Sequence, residues 1–326
     1  MSHPVDLVAV HRGDRVESLH RGHAVICDAS GDVLEAWGDP AAIVYPRSSC
    51  KMIQALPLLE SGAGADLSDR HLALACASHQ GAAIHTDLAA SWLRDLGLGE
   101  GDLRCGSHMP KDDDAHGALI RGGAAPSQLH NNCSGKHAGF LMLGQHLRAG
   151  PEYVEIDHPV QMAVRRAFEE VTGQGSPGWA VDGCSAPNFA TRLDALAGAM
   201  ARFAAAGDRD DARSRAMIRL RGAMATHPDL VAGEGRACTD LMRAADDGVA
   251  VKTGAEGVFI AIVPSRKLGI ALKIADGATR AAEAVIAALL VRVGVLSPAA
   301  PVARRLMQGP IQNWRGIETG GYETLL

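Results

Sequence analysis

The chain has 326 residues, of which 47% are hydrophobic, 21% charged and 4% aromatic, and it carries a formal net charge of −5. That length and apolar content allow a large core, while the acidic balance and the scarcity of aromatic rings argue against nucleic acid, which needs a basic surface and stacking platforms. No apolar leader is visible between Met1 and Glu17, and the late apolar run Ala284 to Val291 stops at Arg292, well short of the ~20 residues that span a bilayer. No membrane association and a cytoplasmic location are therefore expected.

Along the chain, His23 to Asp28 and Val33 to Trp37 flank Ala29-Ser-Gly-Asp32, which predicts a hairpin. Pro46 and Arg47 precede Ser48, after which Met52, Ile53, Leu56 and Leu59 recur at helical spacing, so Ser48 is expected at a helix N-terminus. Orphan backbone amides there favour developing negative charge. The plainer reading of the same placement is an N-cap role for Ser48 or Ser49.

From roughly Leu67 to Asp246, helical periodicity dominates, over Asp87 to Leu96, Val160 to Val171, Leu193 to Ala206 and Ala212 to Ala225. The Arg213, Arg215, Arg219, Arg221 series reads as a solvated helix face. Short β-type runs then follow at Val249 to Thr253, Gly257 to Pro264 and Leu268 to Ile274, the last two joined by Ser265-Arg-Lys267, before a helix over Ala278 to Val293. Strands at both ends with helices between them predict an α/β (α+β) fold: an antiparallel sheet from the N- and C-terminal segments, flanked by helices, with a largely helical middle. The whole chain, 1–326, is expected to be one catalytic domain, with a sheet layer at about 1–55 and 247–326 and a helical part at about 56–246.

The chemistry is signalled by Ser48-x-x-Lys51 together with Lys252-Thr-Gly254. A serine hydroxyl is a poor nucleophile until a base takes its proton, and a lysine three residues on lies one helical turn away on the same face. With 17 serines and 6 lysines, about 0.3 accidental Ser-x-x-Lys tetrads are expected, against about 0.02 for Lys-Thr-Gly, so the pair carries the signal. Three polar, Gly-rich segments stand out as well: Cys76-Ala-Ser-His-Gln-Gly81, His130-Asn-Asn-Cys-Ser-Gly-Lys-His137 and Asp182-Gly-Cys-Ser-Ala-Pro187. Such loops are common sites of chemistry, although turn formation and capping explain any one of them alone.

Lysine usage sharpens the choice. Against 26 arginines there are only 6 lysines, and Lys51, Lys136 and Lys252 all fall in these motifs. Arginine cannot deprotonate, whereas a buried lysine can serve as a base. The seven cysteines (27, 50, 76, 105, 133, 184 and 238) are odd in number and scattered, which favours free thiols over a disulfide framework. Cys133, Lys136, His137, Asp182 and Cys184 could converge on a metal, since two thiolates with nitrogen or oxygen donors suit zinc; the spacing matches no standard zinc module, and buried structural cysteines are the alternative.

Over almost its whole length the chain resembles the Rhizobium-type L-asparaginase II family. The residues that carry the resemblance are Tyr45-Pro-Arg-Ser-Ser-Cys-Lys51, Cys76-Ala-Ser-His79, Asn131-Asn-Cys-Ser-Gly-Lys-His137, Asp182-Gly-Cys184, Lys252-Thr-Gly-Ala-Glu-Gly257 and Ala271-Leu-Lys-Ile-Ala-Asp-Gly277. The resemblance implies a scaffold similar to serine β-lactamases and serine-dependent glutaminases, a homodimer, and hydrolysis of L-asparagine to L-aspartate and ammonia. It implies two catalytic Ser–Lys pairs, Ser48 with Lys51 and Ser78 with Lys252, and a zinc held by Cys133, Lys136 and Cys184 that helps orient substrate. Arg47, Asn132, His137, Asp182 and Gly254 are the candidate substrate-binding residues.

Cys50, where an apolar residue is expected, and the Gly106-Ser-His-Met-Pro110 loop depart from the family pattern. The threonine-dependent asparaginases are set aside because the only Thr-Gly-Gly is Thr319-Gly-Gly321, at the far end, and no Asp-Gly-Thr is present. Two rival readings are another amide hydrolase on the same scaffold (a β-lactamase, peptidase or glutaminase) and a catalytically idle zinc protein that binds asparagine. The first lacks an intervening Ser-Asp-Asn, its nearest substitute being Ser78-His-Gln80.

Overall fold

Three strands lead the computed structural model, which describes residues 3–326: β1 (Val5–Arg12), β2 (Arg15–Cys27) and β3 (Val33–Trp37). A two-residue strand β4 (Ile43–Val44) and a 3-10 turn (Arg47–Cys50) lead into α1 (Lys51–Gln54), α2 (Leu56–Glu60), α3 (Asp69–Ala75), α4 (Ala83–Asp95), α5 (Asp113–Gly122), α6 (Ser134–His146) and α7 (Pro159–Thr172). Short strands β5 (Trp179–Val181), β6 (Pro187–Phe189) and β7 (Thr191–Arg192) follow. Next come α8 (Leu193–Ala204), α9 (Ala212–Thr226), α10 (Pro228–Val231) and α11 (Ala237–Ala244). The chain ends with β8 (Ala250–Thr253), β9 (Val258–Val263), β10 (Leu268–Ile274), α12 (Thr279–Arg292), α13 (Pro301–Gln308), β11 (Pro310–Gln312) and β12 (Glu318–Thr324). This is the mixed fold with an antiparallel sheet and a helical middle that the sequence predicts. Among the described residues no helix is long and apolar enough to cross a membrane.

The chain divides into two compact units. The first contains the segment up to Ser49, Thr191–Ala205 and Asp240–Leu326, and is built on an eight-stranded antiparallel sheet in the order β11-β12-β1-β2-β10-β9-β8, with β3 also paired to β2. The two ends of the chain meet in it, with Val8 opposite Thr324 and Val10 opposite Tyr322. Every residue of β9 is buried, because α8 and α12 both pack on β9 and β10. That double cover explains why β9 reads as an unbroken apolar run instead of an alternating one. At β10 the α8 backbone comes so close that a Cβ on Gly269 would lie 2.1 Å from the Ala197 carbonyl oxygen and 2.2 Å from the Ala201 nitrogen.

The second unit contains Cys50–Ala190 and Ala206–Thr239. Here α3 packs on α6 and α9, and α4 on α6. The single helix expected to begin at Ser48 is divided into the 3-10 turn, α1 and α2. Pro57 sits in the first turn of α2, where it can offer no N–H to the Ile53 carbonyl, which interrupts the hydrogen-bond ladder between α1 and α2. Ten of the thirteen residues of α6 are buried, Ser134, Lys136 and His137 among them, so this helix shows no amphipathic stripe. The arginines of α9, expected as a solvated face, are largely committed: Arg213 pairs with Glu60 at 2.5 Å and Glu170 at 2.7 Å, Arg215 with Asp210 at 2.6 Å, and Arg219 donates to the Leu67 carbonyl at 3.0 Å. All seven cysteines are buried free thiols.

Replacing Gly269 by alanine should push α8 off the sheet. The expected loss is at least about 2 kcal/mol, since a well-packed interior resists an added carbon where the neighbour is backbone. Chemical denaturation of the Gly269→Ala variant checks it, and a midpoint equal to wild type would show that α8 can yield.

Candidate active site

Within the first unit lie Arg47, Ser48, Lys252 and Gly254. Arg47 opens the 3-10 turn with φ of 53°, the left-handed region that costs a non-glycine residue of order 1 kcal/mol, and such strain gathers at functional segments. Ser49 is the serine committed to the turn: its Oγ and its N–H both donate to the Pro46 carbonyl, at 2.7 and 3.1 Å. Ser48, beside it, is half-buried. Gly254 follows β8, and a Cβ there would fall 2.5 Å from the Pro46 carbonyl oxygen, so glycine is what lets the end of β8 lie against the turn that carries Ser48. On β8 itself Lys252 stands opposite Ile260, is buried, and donates from Nζ to the Thr253 carbonyl at 2.9 Å.

The second unit gathers the other candidates. Lys51, on α1, directs its Nζ at the Ala77 carbonyl, at Ser78 Oγ (3.1 Å), at the Asn132 carbonyl (3.4 Å) and at Cys133 Sγ (3.0 Å). The resemblance pairs Lys51 with Ser48; in this unit its hydroxyl partner is Ser78. Two loops carry these acceptors. The Cys76–Gln80 loop is fixed by the Ser78 N–H donating to the Val231 carbonyl at 2.9 Å. Asn131 anchors the other loop, its Oδ1 accepting the Cys133 N–H at 2.9 Å while its Nδ2 donates to the Cys105 carbonyl at 2.8 Å and the Gly106 carbonyl at 3.0 Å. His79 locks the two together: the Gly81 N–H donates to its Nδ1 at 3.1 Å, which leaves Nε2 protonated to donate to Ser134 Oγ at 2.9 Å.

Cys133, Lys136 and Cys184 also come together. Lys136 Nζ lies 3.0 Å from Cys184 Sγ, and the two thiols share a hydrogen bond. That bond and burial push the Cys133 thiol up to about 12, while the same bond, with the Lys136 ammonium, holds Cys184 well below its ordinary value. Cys184 is thus the more acidic thiol of the pair. Burial pulls the Lys136 amine down, but the two sulfurs and Asp182 outweigh it and leave the amine above its usual range. Among the described residues no three His, Cys, Asp or Glu side chains are gathered to hold a metal by themselves. The third donor of this set is an amine, and two thiols with an amine are a soft, nitrogen-containing combination that fits zinc.

Cys184 sits in a tight turn in which the Ser185 N–H donates to the Asp182 carbonyl at 2.9 Å and Ser185 takes φ of 71°. Asp182 Oδ1 accepts the Gly183 N–H at 2.7 Å. His137 is fully buried, with Nδ1 2.8 Å from the Tyr153 hydroxyl, and its pKa is driven well down by burial and then by Lys136. The departing residues find plain roles. Cys50 is an apolar-like core thiol, pushed up to about 12 by burial. The 106–110 loop carries His108, whose Nε2 accepts the Asn132 N–H at 3.0 Å. His108 lies in the loop that the sequence singles out, whereas Tyr153 and Arg104 have no motif around them and reach the site only through contacts distant in the chain.

His79 and His85 stack 4.7 Å apart, and both are held neutral, burial being the main cause in each case. A histidine whose folded pKa lies below its unfolded value of about 6.5 contributes stability that is present above that pH and is lost as the pH falls, since the unfolded chain then binds the extra proton. Stability should therefore decline from about pH 6.5 downward, and a denaturation series from pH 8 to 5 should show less of this slope in His85→Gln.

The sequence profile of the L-asparaginase II family matches residues 8–324. No curated protein matches the chain. Similar solved structures include Mglu in its native form, at 13% identity and a TM-score of 0.43 over 84% of this chain and 63% of that one. A β-lactamase from Mycobacterium bovis has 14% identity and a TM-score of 0.40 over 83% of this chain and 94% of its own. The D-alanine carboxypeptidase AmpC from Burkholderia cenocepacia has 16% identity and a TM-score of 0.40 over 84% and 93%. The chain thus spans less than two thirds of the length of Mglu. With the family profile covering nearly every residue, the chain belongs to the L-asparaginase II family.

Proposed function

We propose that this chain is an L-asparaginase, converting L-asparagine and water to L-aspartate and ammonia through a serine ester. The observation that carries the reading is the buried Lys51–Ser78 contact of 3.1 Å in a chain of this family. Ser48 is the proposed nucleophile, being half-buried and so within reach of a small substrate, while Ser78, buried and hydrogen-bonded to Lys51, is the proposed relay. The Ser48 oxygen bonds to the side-chain amide carbon as the hydroxyl proton passes to a lysine, the C–N bond breaks, and the nitrogen leaves as ammonia carrying that proton. Water then splits the ester. Lys51 and Lys252 are the proposed proton carriers, with Ser78 relaying for Lys51.

Cys133, Lys136 and Cys184 are the residues that would hold zinc, and the bound ion would supply a fixed positive charge that orients the substrate. Arg47, Asn132, His137, Asp182 and Gly254 complete the proposed substrate set. A homodimer belongs to the same proposal and rests on the family resemblance.

Ammonia release should be strong for L-asparagine and weaker for L-glutamine, since fixed polar groups reject one extra methylene by about 1–3 kcal/mol. Metal analysis of the same sample should give about one zinc per chain, lost in a Cys133→Ser, Cys184→Ser double variant. Equal specificity constants for the two amides would sink the substrate assignment, and full zinc retention in the double variant would sink the metal site.

Quenching a turnover reaction should trap an acyl adduct on Ser48. Peptide mass spectrometry reads its position, and an adduct on Ser78 with none on Ser48 would reverse the two serine roles.

A further inference from the structure

Tyr153 is almost fully buried and held from both ends. Its carbonyl accepts from Gln161 Nε2 at 2.7 Å, and its hydroxyl oxygen accepts the Arg104 N–H at 2.7 Å. Arg104 is itself immobilised: its guanidinium grips the Glu152 carboxylate at 2.9–3.1 Å and donates to the carbonyls of Gly101, Asp102 and Leu103 at 3.1–3.2 Å. The remaining partner of the Tyr153 hydroxyl is His137 Nδ1, at 2.8 Å, with the rings edge-on. The other ring nitrogen, Nε2, is buried and has no hydrogen-bond partner among the described residues. The charges acting on His137 are those of Lys136, Cys133, Lys51 and Asp182, the neighbours of the proposed metal set.

A phenol has one proton to give. With the Arg104 N–H already donating to its oxygen, the proton of Tyr153 has a single acceptor on offer, the lone pair of His137 Nδ1. The reverse arrangement, His137 Nδ1–H donating to the phenol, would leave two buried groups unpaired, the Tyr153 proton and the Nε2 lone pair, whereas the first leaves only the Nε2–H, free for a bound group. A neutral imidazole that accepts at Nδ1 carries its proton on Nε2, and a protonated nitrogen has no lone pair for a metal.

We propose that Tyr153 is a positioning residue that locks His137 with its proton on Nε2, making His137 a hydrogen-bond donor toward an oxygen of the substrate and not a ligand of the metal. The substrate half of this inference rests on the asparaginase reading; the tautomer does not. Losing a hydrogen bond that fixes a ring costs about 0.5–1.5 kcal/mol, up to about tenfold in the affinity that depends on the ring's orientation.

The test is a two-bond nitrogen–proton correlation spectrum of the full-length protein labelled with 15N-histidine, with the His137 signals identified by their loss in His137→Gln. The expected result is an Nε2–H imidazole with and without added zinc. In Tyr153→Phe the ring should show mixed tautomers, with KM for L-asparagine raised up to about tenfold and kcat lowered much less. An Nδ1–H or doubly protonated ring in wild type, an Nε2 signal that moves to a metal-bound position with zinc, or an unchanged tautomer in Tyr153→Phe would overturn the proposal. If Tyr153→Phe fails to fold, the wild-type spectra still decide the tautomer and the metal question. An intact Nε2–H signal without ammonia release would uphold the lock and sink the asparaginase reading alone.

Discussion

Burying an ammonium group costs several kcal/mol unless acceptors surround it, and this chain buries three of its six lysines, with Lys51 and Lys252 1% exposed and Lys136 3%. Much of the local architecture follows from that constraint. Lys51 obliges two loops to present carbonyls, a hydroxyl and a thiol to one point, and those loops are the Cys76–Gln80 and Asn131–Cys133 segments. Lys136 obliges an anion to lie beside it, which the Cys184 sulfur supplies at 3.0 Å. The polar character of these segments is thus a condition of folding as well as of chemistry.

Rigidity is supplied from outside the reacting groups. Asn131, His79 and His108 tie the 131–133 loop to its neighbours through their side chains, so Asn132 and Cys133 have little freedom left. Backbone strain is stored in the same segments: Arg47 and Ser185, each next to a candidate residue, adopt left-handed conformations that glycine would take more cheaply. In the first unit, Gly254 plays the opposite part, removing a side chain so that β8 can approach the Ser48 turn.

The proposed metal ligands pose an electrostatic balance. Cys184 is held well below its ordinary value by its bond to Cys133 and by Lys136, Cys133 is pushed up to about 12, and Lys136 is raised by the two sulfurs and Asp182 against its burial. A zinc ion would take the place of the protons on this set as the compensating charge. His137 stands outside that exchange if Tyr153 fixes its proton, so the two functions, holding metal and donating to substrate, fall to different side chains.

Sequence alone determined the elements whose pattern is local and complete. The strand at Leu268–Ile274 and the helices of α7, α8, α9 and α12 carry uninterrupted periodicity, and the structure has them at or near the expected bounds. The candidate residues were legible for a similar reason, since Ser48, Lys51, Lys136 and Lys252 sit in short motifs whose composition is improbable by chance. What tertiary structure decided is whatever depends on a partner far along the chain. β12, with its Gly320-Gly321 pair, is a strand because β1 and β11 pair with it on either side, and the helix from Ser48 is interrupted at Pro57 although the apolar spacing runs on through it. Lys51 finds Ser78 across 27 positions and Tyr153 finds His137 across 16, and neither spacing is a repeat of any helix or strand. Periodicity encodes which face of an element is buried; it does not encode which buried face will meet which, because that is settled by packing once the whole chain has closed on itself.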